Sequence, residues 1–226
     1  MKPITTLFLL QSVDGKISTG PTDDFDVDKD IPKMSGDPAT GLQQYYDEEA
    51  ETDLWSMNSG RVMAKVGMND RTDVPHKTPV TFVVVDNHHI KESGIRYMCT
   101  KFKRLIIITS NSHHPAFSLK DKLENLNIYQ YFGEMNPKEV LDVLGEQGCE
   151  NLTIQTGGTL NCVFLRNKLI DKINIVVCPI LVGGKNVSSL IDGTDPTSLD
   201  DIGVLKLTSV RTLNNSYIQL KYDVVQ

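Results

Sequence analysis

The chain has 226 residues, a length that indicates a single domain with a sizeable core. Its 23 basic and 29 acidic side chains give a net charge of −6, and no cluster of Lys and Arg stands out, so nucleic acid is not expected as a partner. No apolar run approaches the roughly 18 residues of a spanning helix, and the first residues lack the cleavage region of a signal peptide, so neither membrane insertion nor secretion is expected.

The N-terminal half predicts strands separated by a loop and a helix. Residues 4–10 are apolar and rich in β-branched side chains, which indicates an opening strand. The acidic, turn-rich stretch over residues 20–38 predicts a solvated loop that lines a substrate cleft. A helix start is predicted at Asp37, because the proline that follows is tolerated in a first turn. Residues 54–57 predict a short strand, and Gly60 begins a turn that continues as a helical turn.

The C-terminal half predicts a buried sheet covered by helices. Continuous apolar runs at residues 81–85 and 105–109 are typical of strands buried on both faces. Asn136 predicts the start of a helix that Gly148 ends. A strand, a helix, a strand and a hairpin are predicted at residues 152–155, 160–167, 172–178 and 204–223. The pattern predicts one α/β domain over residues 1–226, with a central, mostly parallel sheet flanked by helices and an antiparallel C-terminal hairpin.

A strand, a glycine pair and a helix form the most informative motif, Gln155-Thr156-Gly157-Gly158-Thr159-Leu160-Asn161. Ligands of open α/β sheets bind beyond the carboxyl ends of the strands, where a helix N-terminus offers free N–H groups to an anion. Glycines there would let a phosphate approach the backbone, and Thr159 would cap the helix or join the binding. The alternative is a tight connection whose glycines only permit a positive φ.

No metal site is predicted from the acidic and histidine-containing segments. Asp24, Asp26 and Asp28 alternate as in a calcium loop, but the Gly and Glu that an EF-hand requires are missing. The pairs His88-His89 and His113-His114 consist of adjacent residues, which cannot both face one metal from a strand or a helix. We therefore predict a solvated acidic loop and surface histidines.

Two further features bear on the site and the compartment. Ser12 and Asp14 end the first strand, so they are either turn residues or polar contacts at the mouth of the sheet. The four cysteines form no C-x-x-C pair and no regular disulfide spacing, and Cys162 and Cys178 are expected to be buried because they lie in apolar runs. This pattern favours the reducing cytoplasm.

Two segments resemble the reductase domain of riboflavin biosynthesis, which is the C-terminal half of the bifunctional deaminase-reductase. Ser12-Val13-Asp14-Gly15-Lys16 is similar to the Ser-Leu-Asp-Gly-Lys that ends the first strand of that family. The glycine turn, followed by Lys168-Leu169-Ile170-Asp171-Lys172 and by Pro179 with Gly183-Gly184, is similar to the family's nucleotide-binding element. The topology is similar over nearly the whole chain, and the resemblance implies a dihydrofolate-reductase-like fold.

The resemblance implies NADPH as the cofactor. By position, its pyrophosphate would be held by Gly157, Gly158, Thr159, Leu160 and Asn161. Gln11 would lie on the nicotinamide side and Asn87 near the adenosine 2′-phosphate. Arg61, in a Gly-Arg pair similar to that of dihydrofolate reductases, would meet the cofactor phosphates. Asp14 as a polar active-site contact and Gln155 as a hydrogen-bond partner of the substrate are the predicted catalytic residues.

Three departures from the family pattern bear on the substrate. Gln155 replaces the family's Glu before the glycine pair, and Glu49 stands near the position of an expected Arg, where it would repel a substrate phosphate. Residues 64–67 occupy the region of a family Asp. These changes leave cofactor binding intact and alter the substrate side.

The sequence thus predicts an NADPH-dependent reductase of a small pyrimidine or pterin-like substrate, resembling 5-amino-6-(5-phosphoribosylamino)uracil reductase. Two alternatives stay open: a dihydrofolate or pterin reductase of the same fold, and a nucleotide-binding module that has lost catalysis. The resemblance also implies a homodimer.

Overall fold

One nine-stranded sheet forms the centre of the computed structural model, which describes residues 1–225. The strands are β1 (Ile4–Ser12), β2 (Trp55–Ser59), β3 (Thr78–Val85), β4 (Phe102–Thr109), β5 (Leu126–Gln130), β6 (Asn151–Ile154), β7 (Lys172–Cys178), β8 (Val204–Thr212) and β9 (Ile218–Val225). Their order is β5-β4-β3-β2-β6-β1-β7-β9-β8. All pairs from β5 to β7 are parallel, whereas β9 is antiparallel to both β7 and β8. The predicted fold class is confirmed.

Seven α-helices connect or flank these strands in the described part of the chain. They are α1 (Val27–Asp30), α2 (Asp37–Gly41), α3 (Gln43–Ala50), α4 (Gly60–Lys65), α5 (Glu92–Lys101), α6 (Pro137–Glu146) and α7 (Gly158–Arg166). The predicted ends of α6 are confirmed, since the Asn136 side chain accepts hydrogen bonds from the backbone of Lys138 and Glu139, and Gly148 has a φ of 92°. The single helix predicted from Asp37 is two short helices, α2 and α3.

Alternate residues of the central strands enter cores on opposite faces of the sheet. On one face, Val83 of β3 packs in a cluster with α6 and with Phe164 of α7. On the other face, Phe82 and Val84 pack beneath α5. A third cluster joins Phe8 of β1 to α3 through Tyr45, whose ring stacks on Phe8 with centroids 5.2 Å apart. The helices on this second face leave a gap between α3 and α4.

Two predictions about polar segments are wrong. The acidic stretch is not a fully solvated loop, because Asp26 is only 5% exposed and its side chain caps α1 by accepting a hydrogen bond from Asp28 N. His114 is not a surface residue but is buried, with its Nε2 2.9 Å from Asp86 Oδ2. Both residues are buried together with a polar partner, which offsets the cost of removing them from water.

The remaining expectations concern cysteines, metals and membranes. All four cysteines are buried and unpaired, which confirms the burial predicted for Cys162 and Cys178. Among residues 1–225, no group of three or more His, Cys, Asp and Glu side chains is placed to hold a metal ion. No helix in that range is long and apolar enough to cross a bilayer.

Candidate active site

A cavity of about 1110 Å³ lies between α3 and α4 and extends to the carboxyl ends of β2 and β6. Ser56 and Asn58 of β2 form part of its floor, and the walls come from Tyr45, Tyr46 and Glu49 of α3 and from Arg61, Met63 and Lys65 of α4. The acidic loop closes one side with Asp23, Asp26 and Asp28. This confirms the prediction that the acidic stretch lines a cleft.

The predicted glycine turn lines the same cavity. Gly157, Gly158, Thr159 and Leu160 all contribute to its wall, at the N-terminus of α7. Gly157 has φ −72° and ψ 160°, and Gly158 is the first residue of the helix, so the alternative in which the pair only permits positive φ is wrong. Thr159 does not cap the helix, because no side-chain bond caps α7 and Gly157 is its N-cap residue.

A side chain at position 157 and one at position 158 would meet different surroundings. A Cβ on Gly158 would lie 2.3 Å from the carbonyl oxygen of Ser189 and 2.6 Å from Asp192 Oδ2, so this position is needed for packing. A Cβ on Gly157 would meet nothing closer than Val62 Cγ2 at 3.7 Å. Neither backbone conformation nor protein packing therefore requires a glycine at 157, and the bare backbone there leaves room for a ligand to approach.

Asn161 has a packing role in the observed structure. Its side chain is fully buried, accepts a hydrogen bond from Thr156 Oγ1 and donates one to the carbonyl oxygen of Leu190 at 2.8 Å. Asn161 therefore connects α7 to the loop at residues 189–192, which Gly158 also contacts. Its predicted role in cofactor binding would be indirect, through the position of the glycine turn.

Two basic residues on α4 face the acidic loop. Arg61 Nε lies 3.0 Å from Asp23 Oδ1, with both side chains more than half exposed. Lys65 Nζ donates to Ser18 Oγ at 2.9 Å and lies 3.4 Å from Asp26 Oδ2, with both charged side chains largely buried. Because Lys65 has two partners on the loop, Arg61 is the more accessible of the two cations for an anionic ligand.

Gln155 connects the end of β6 to α3. Its Oε1 accepts a hydrogen bond from Ser56 Oγ at 2.8 Å, and its Nε2 donates one to Glu49 Oε1 at 2.5 Å. Burial raises the pKa of Glu49, while the bond from Gln155 and the charge of Lys101 oppose that rise. Gln155 thus lines the cavity, and its side-chain oxygen and nitrogen bond to Ser56 and Glu49 within the protein.

Asp28 of α1 faces the same part of the cavity and accepts a hydrogen bond from the Tyr46 hydroxyl. The pKa of Asp28 is raised to about 6, mainly by burial. The neighbouring charges of Asp26 and Glu49 add to this rise, and the hydrogen bond from Tyr46 opposes it. Sequence reasoning did not single out Asp28 or Tyr46 as site residues. The alternation of polar Ser56 and Asn58 with buried Met57 in β2 was an available signal that one face of this strand borders a cavity.

Four predicted site residues do not line this cavity, namely Asn161, Gln11, Asp14 and Asn87. Gln11, near the end of β1, is absent from the lining of the cavity. Asp14 is exposed, and its carboxylate accepts hydrogen bonds from Ser12 Oγ at 2.6 Å and from the backbone of Val182 and Gly183, which lower its pKa to about 2. Asp14 therefore stabilises the turn at Gly183 and does not border the cavity.

Asn87 lines a second pocket of about 620 Å³ at the ends of β3, β4 and β5. Its Oδ1 accepts hydrogen bonds from Ser110 N and from Thr109 Oγ1, so its side chain joins the ends of β3 and β4. Val163 of α7 borders both pockets, which places them next to each other. The position predicted for the adenosine end of a cofactor is therefore next to the main cavity.

Comparisons with known proteins agree with this architecture. The family model of the RibD C-terminal domain matches residues 3–218. A 2,5-diamino-6-ribosylamino-4(3H)-pyrimidinone 5′-phosphate reductase from Methanothermobacter thermautotrophicus is 32% identical over 85 residues, which span 38% of this chain and 39% of that protein. The riboflavin biosynthesis protein RibD of Bacillus amyloliquefaciens is 30% identical over 40% of this chain and 25% of its own length. The aligned segments thus span well under half of these relatives.

Solved structures show the same fold over the whole chain. RibD of Acinetobacter baumannii superposes with a TM-score of 0.69 at 18% identity, covering 100% of this chain and 59% of that one. A pyrimidine reductase-like protein of Corynebacterium diphtheriae gives a TM-score of 0.68 at 13% identity, covering 99% of this chain and 92% of that one. The predicted dihydrofolate-reductase-like fold is confirmed by these neighbours.

Proposed function

Because the chain belongs to the RibD C-terminal domain family, we propose that it is an NADPH-dependent reductase of a pyrimidine phosphate in riboflavin biosynthesis. The observation that carries the proposal is the glycine turn on the cavity wall, where Gly157 is free of any conformational or packing need for glycine. The relatives, a pyrimidinone phosphate reductase and RibD, support the reaction class. A reductase also needs space for a cofactor and a substrate side by side, and the cavity is large enough for both.

The residues of the turn fit the pyrophosphate of a nicotinamide dinucleotide. The N-terminus of α7, a nine-residue helix, presents backbone N–H groups without a side-chain cap to the cavity wall. Arg61 would pair with a further phosphate, and the fixed fork of its guanidinium suits the 2′-phosphate that distinguishes NADPH from NADH. When bound, NADPH supplies the hydride. Asn87, Thr159 and Leu160 would complete the cofactor side of the site.

The substrate side is the part of the cavity between α3 and β6. Tyr46, Glu49 and Gln155 line the cavity there with Asp28, and hydrogen bonds join Tyr46 to Asp28 and Gln155 to Glu49. These residues would bind and orient the substrate against the cofactor, because precise positioning of the reacting groups is a large part of such catalysis. Gln155 would contribute to substrate binding by holding Glu49 in position. Asp14 would contribute indirectly, by stabilising the turn at Gly183.

We also propose that two copies of the chain pair through β8 and that the protein works in the cytoplasm. β8 is a nine-residue edge strand, and Val204, Leu207 and Val210 are between 53% and 60% exposed. A long edge strand with exposed apolar side chains favours association. The four unpaired cysteines suit a reducing compartment. Sedimentation of the protein as a monomer at micromolar concentration would reject the dimer.

The function is tested by calorimetric binding of NADPH and by loss of NADPH absorbance with pyrimidine phosphates and with dihydrofolate. We expect NADPH to bind and a ribosylaminopyrimidine phosphate to be reduced. Binding without turnover of any compound would favour the nucleotide-binding module, and turnover of dihydrofolate alone would favour the pterin reductase. A protein that binds no NADPH is not the proposed enzyme.

A further inference from the structure

Asp28 lies on the wall of the main cavity within a group of acidic side chains. It belongs to α1, its carboxylate accepts a hydrogen bond from the Tyr46 hydroxyl of α3, and both residues line the cavity. Asp26 stands at the N-cap of α1, and Glu49 follows Tyr46 on α3 by three residues. The charges of Asp26 and Glu49 both act on Asp28, whereas Lys29, the next residue of α1, is exposed.

The other positive charges of the cavity compensate the neighbours of Asp28 and not Asp28 itself. Lys65 of α4 lies 3.4 Å from Asp26 Oδ2, and the charge of Lys101 acts on Glu49. Within residues 1–225, no salt bridge to Asp28 is formed. When several carboxyl groups lie close together, a proton stays on the one whose negative charge is least compensated. That group is Asp28.

The pKa of Asp28 agrees with this arrangement. It is raised to about 6, mainly by burial and further by the charges of Asp26 and Glu49, while the bond from Tyr46 opposes the rise. Tyr45 and Tyr46 are the phenols that face Asp28. Burial and the nearby carboxylates raise the pKa of both, so neither loses its proton near neutral pH. Asp28 is therefore the group in this cluster that can release a proton near the working pH of an enzyme, as a general acid must.

The proposed reduction consumes one proton for each hydride. In a ribosylaminopyrimidine, C1 of the ribose carries one bond to nitrogen and one to the ring oxygen, so this carbon is at the oxidation level of an aldehyde. Proton transfer to the ring oxygen breaks its bond to C1 and leaves a hydroxyl group, while the nitrogen lone pair forms a C=N bond and the nitrogen becomes positively charged. Hydride addition to C1 then neutralises the nitrogen and gives an open-chain amine.

We propose that Asp28 is the general acid of this reaction and gives its proton to the ring oxygen of the ribosylamino group. This proposal rests on the proposed function and deepens it by assigning a catalytic residue. The carboxylate that remains on Asp28 favours the positive charge that forms on the substrate nitrogen. Water in the cavity returns the proton after each turnover. Tyr46 is a positioning residue, because it holds one carboxyl oxygen of Asp28.

The experiment measures NADPH oxidation as a function of pH with the diaminopyrimidinone and uracil forms of ribosylaminopyrimidine phosphate. The wild-type kcat/KM should fall about tenfold per pH unit above a midpoint near 6, as the acid loses its proton. Asp28→Asn should lower kcat by on the order of 10²–10⁴-fold and remove this fall, because a positioned acid contributes about that much. Its NADPH affinity, measured by calorimetry, should stay at the wild-type value.

Two further variants separate acid catalysis from a structural role. Tyr46→Phe removes a hydrogen bond that lowers the pKa of Asp28, so the fall in kcat/KM should move to higher pH. Asp28→Glu keeps an acid and should keep a pH-dependent fall, which also provides the test if Asp28→Asn does not fold. Circular dichroism measures the folding of each variant.

Asp24→Asn is the matched control, because Asp24 is exposed in the same loop and does not line the cavity. It should keep the wild-type profile, and it shows the part of the profile that comes from the substrate phosphate, which also titrates near about pH 6. A folded Asp28→Asn that keeps its kcat, or an unmoved profile in Tyr46→Phe, overturns the proposal and leaves the proposed function intact. A wild type that reduces neither compound contradicts the proposed function, and the role of Asp28 with it.

Discussion

Gly60 lies against the carboxylate of Asp86 so closely that a Cβ on Gly60 would be 2.1 Å from Asp86 Oδ1. Asp86 follows β3, and Gly60 begins α4, the helix that carries Arg61 into the cavity wall. The carboxylate cannot move aside, because it accepts hydrogen bonds from the backbone of His89 and Ile90 and from the buried ring of His114. The contact therefore fixes the start of α4 relative to the sheet.

Gly60→Ala should destabilise the protein. The added methyl group would overlap a buried group that is held by several bonds, and overpacking of this kind costs typically about 1–3 kcal/mol. Urea unfolding followed by circular dichroism measures the loss. Gly157→Ala is the matched control, because its Cβ has open space and its φ is allowed for alanine. Equal stability of Gly60→Ala and the wild type would show that the contact is not as rigid as the bonds to Asp86 imply.

Substitutions at Gly157 and Gly158 should have different effects, one on ligand binding and the other on the stability of the protein. Gly157→Ala should keep its stability but weaken NADPH binding by about tenfold or more, the loss expected when charge-assisted hydrogen bonds of ~1.5–3 kcal/mol are blocked. Gly158→Ala should lose stability with or without cofactor, because its Cβ would overlap Ser189 and Asp192. Thermal unfolding and calorimetry on each variant make the comparison. Unchanged NADPH affinity in Gly157→Ala would remove the main support for the cofactor site.

The features that sequence reasoning predicted well are local ones. The strands at residues 81–85 and 105–109 were predictable because burial on both faces requires a continuous apolar run. The helix α5 was missed because Lys91 at its N-cap position makes no side-chain capping bond, so it has no start signal. The edge strand β5 was missed because most of its residues are half-buried or exposed and form no apolar run.

The candidate site also contains features that were predictable from local sequence and features that depend on tertiary contacts. The glycine turn was predictable because its strand, glycines and helix are contiguous in sequence. The proximity of Asp28 to Glu49 was not predictable from the sequence, because the packing of α1 against α3 brings the two carboxylates together. Asp14 stands at the expected edge of the sheet, but its carboxylate turns to the backbone of Gly183. Sequence position indicates the edge on which a side chain lies, and tertiary contacts decide where it points.

Arg61 should contribute to the choice between NADPH and NADH. Arg61→Ala should weaken NADPH binding more than NADH binding, because only NADPH carries the 2′-phosphate. Asp23→Asn should strengthen NADPH binding by up to about fivefold, since an exposed ion pair of ~0–1 kcal/mol no longer competes for the guanidinium. Calorimetry at low and high salt measures both effects, and salt should reduce the second. Equal losses of NADPH and NADH affinity in Arg61→Ala would place the 2′-phosphate elsewhere.

Asp28 should make the stability of the protein depend on pH in a way that most aspartates do not. Burial raises its pKa from the ordinary value of 3.8 to about 6 in the folded protein, so folding favours the protonated form. The stabilisation from that proton is complete below about pH 4 and is lost as the pH rises through about 6. Asp28→Asn does not titrate and should gain stability relative to the wild type over this window, by on the order of 1–3 kcal/mol.

The measurement is urea unfolding of wild type and Asp28→Asn between about pH 4 and about pH 7.5, a range that begins near the ordinary pKa of an aspartate and passes through the raised pKa of Asp28. Asp30→Asn is the control on the same segment. Despite the cost of burial, hydrogen bonds from Thr19 and Lys33 lower the pKa of Asp30 to about 2, so its stabilisation is lost only as the pH falls below about 4. The stability difference between Asp30→Asn and the wild type should therefore stay flat across the window in which that of Asp28→Asn changes. If both variants give a flat difference, Asp28 titrates like an exposed aspartate and its carboxylate is not enclosed between Tyr46 and Glu49.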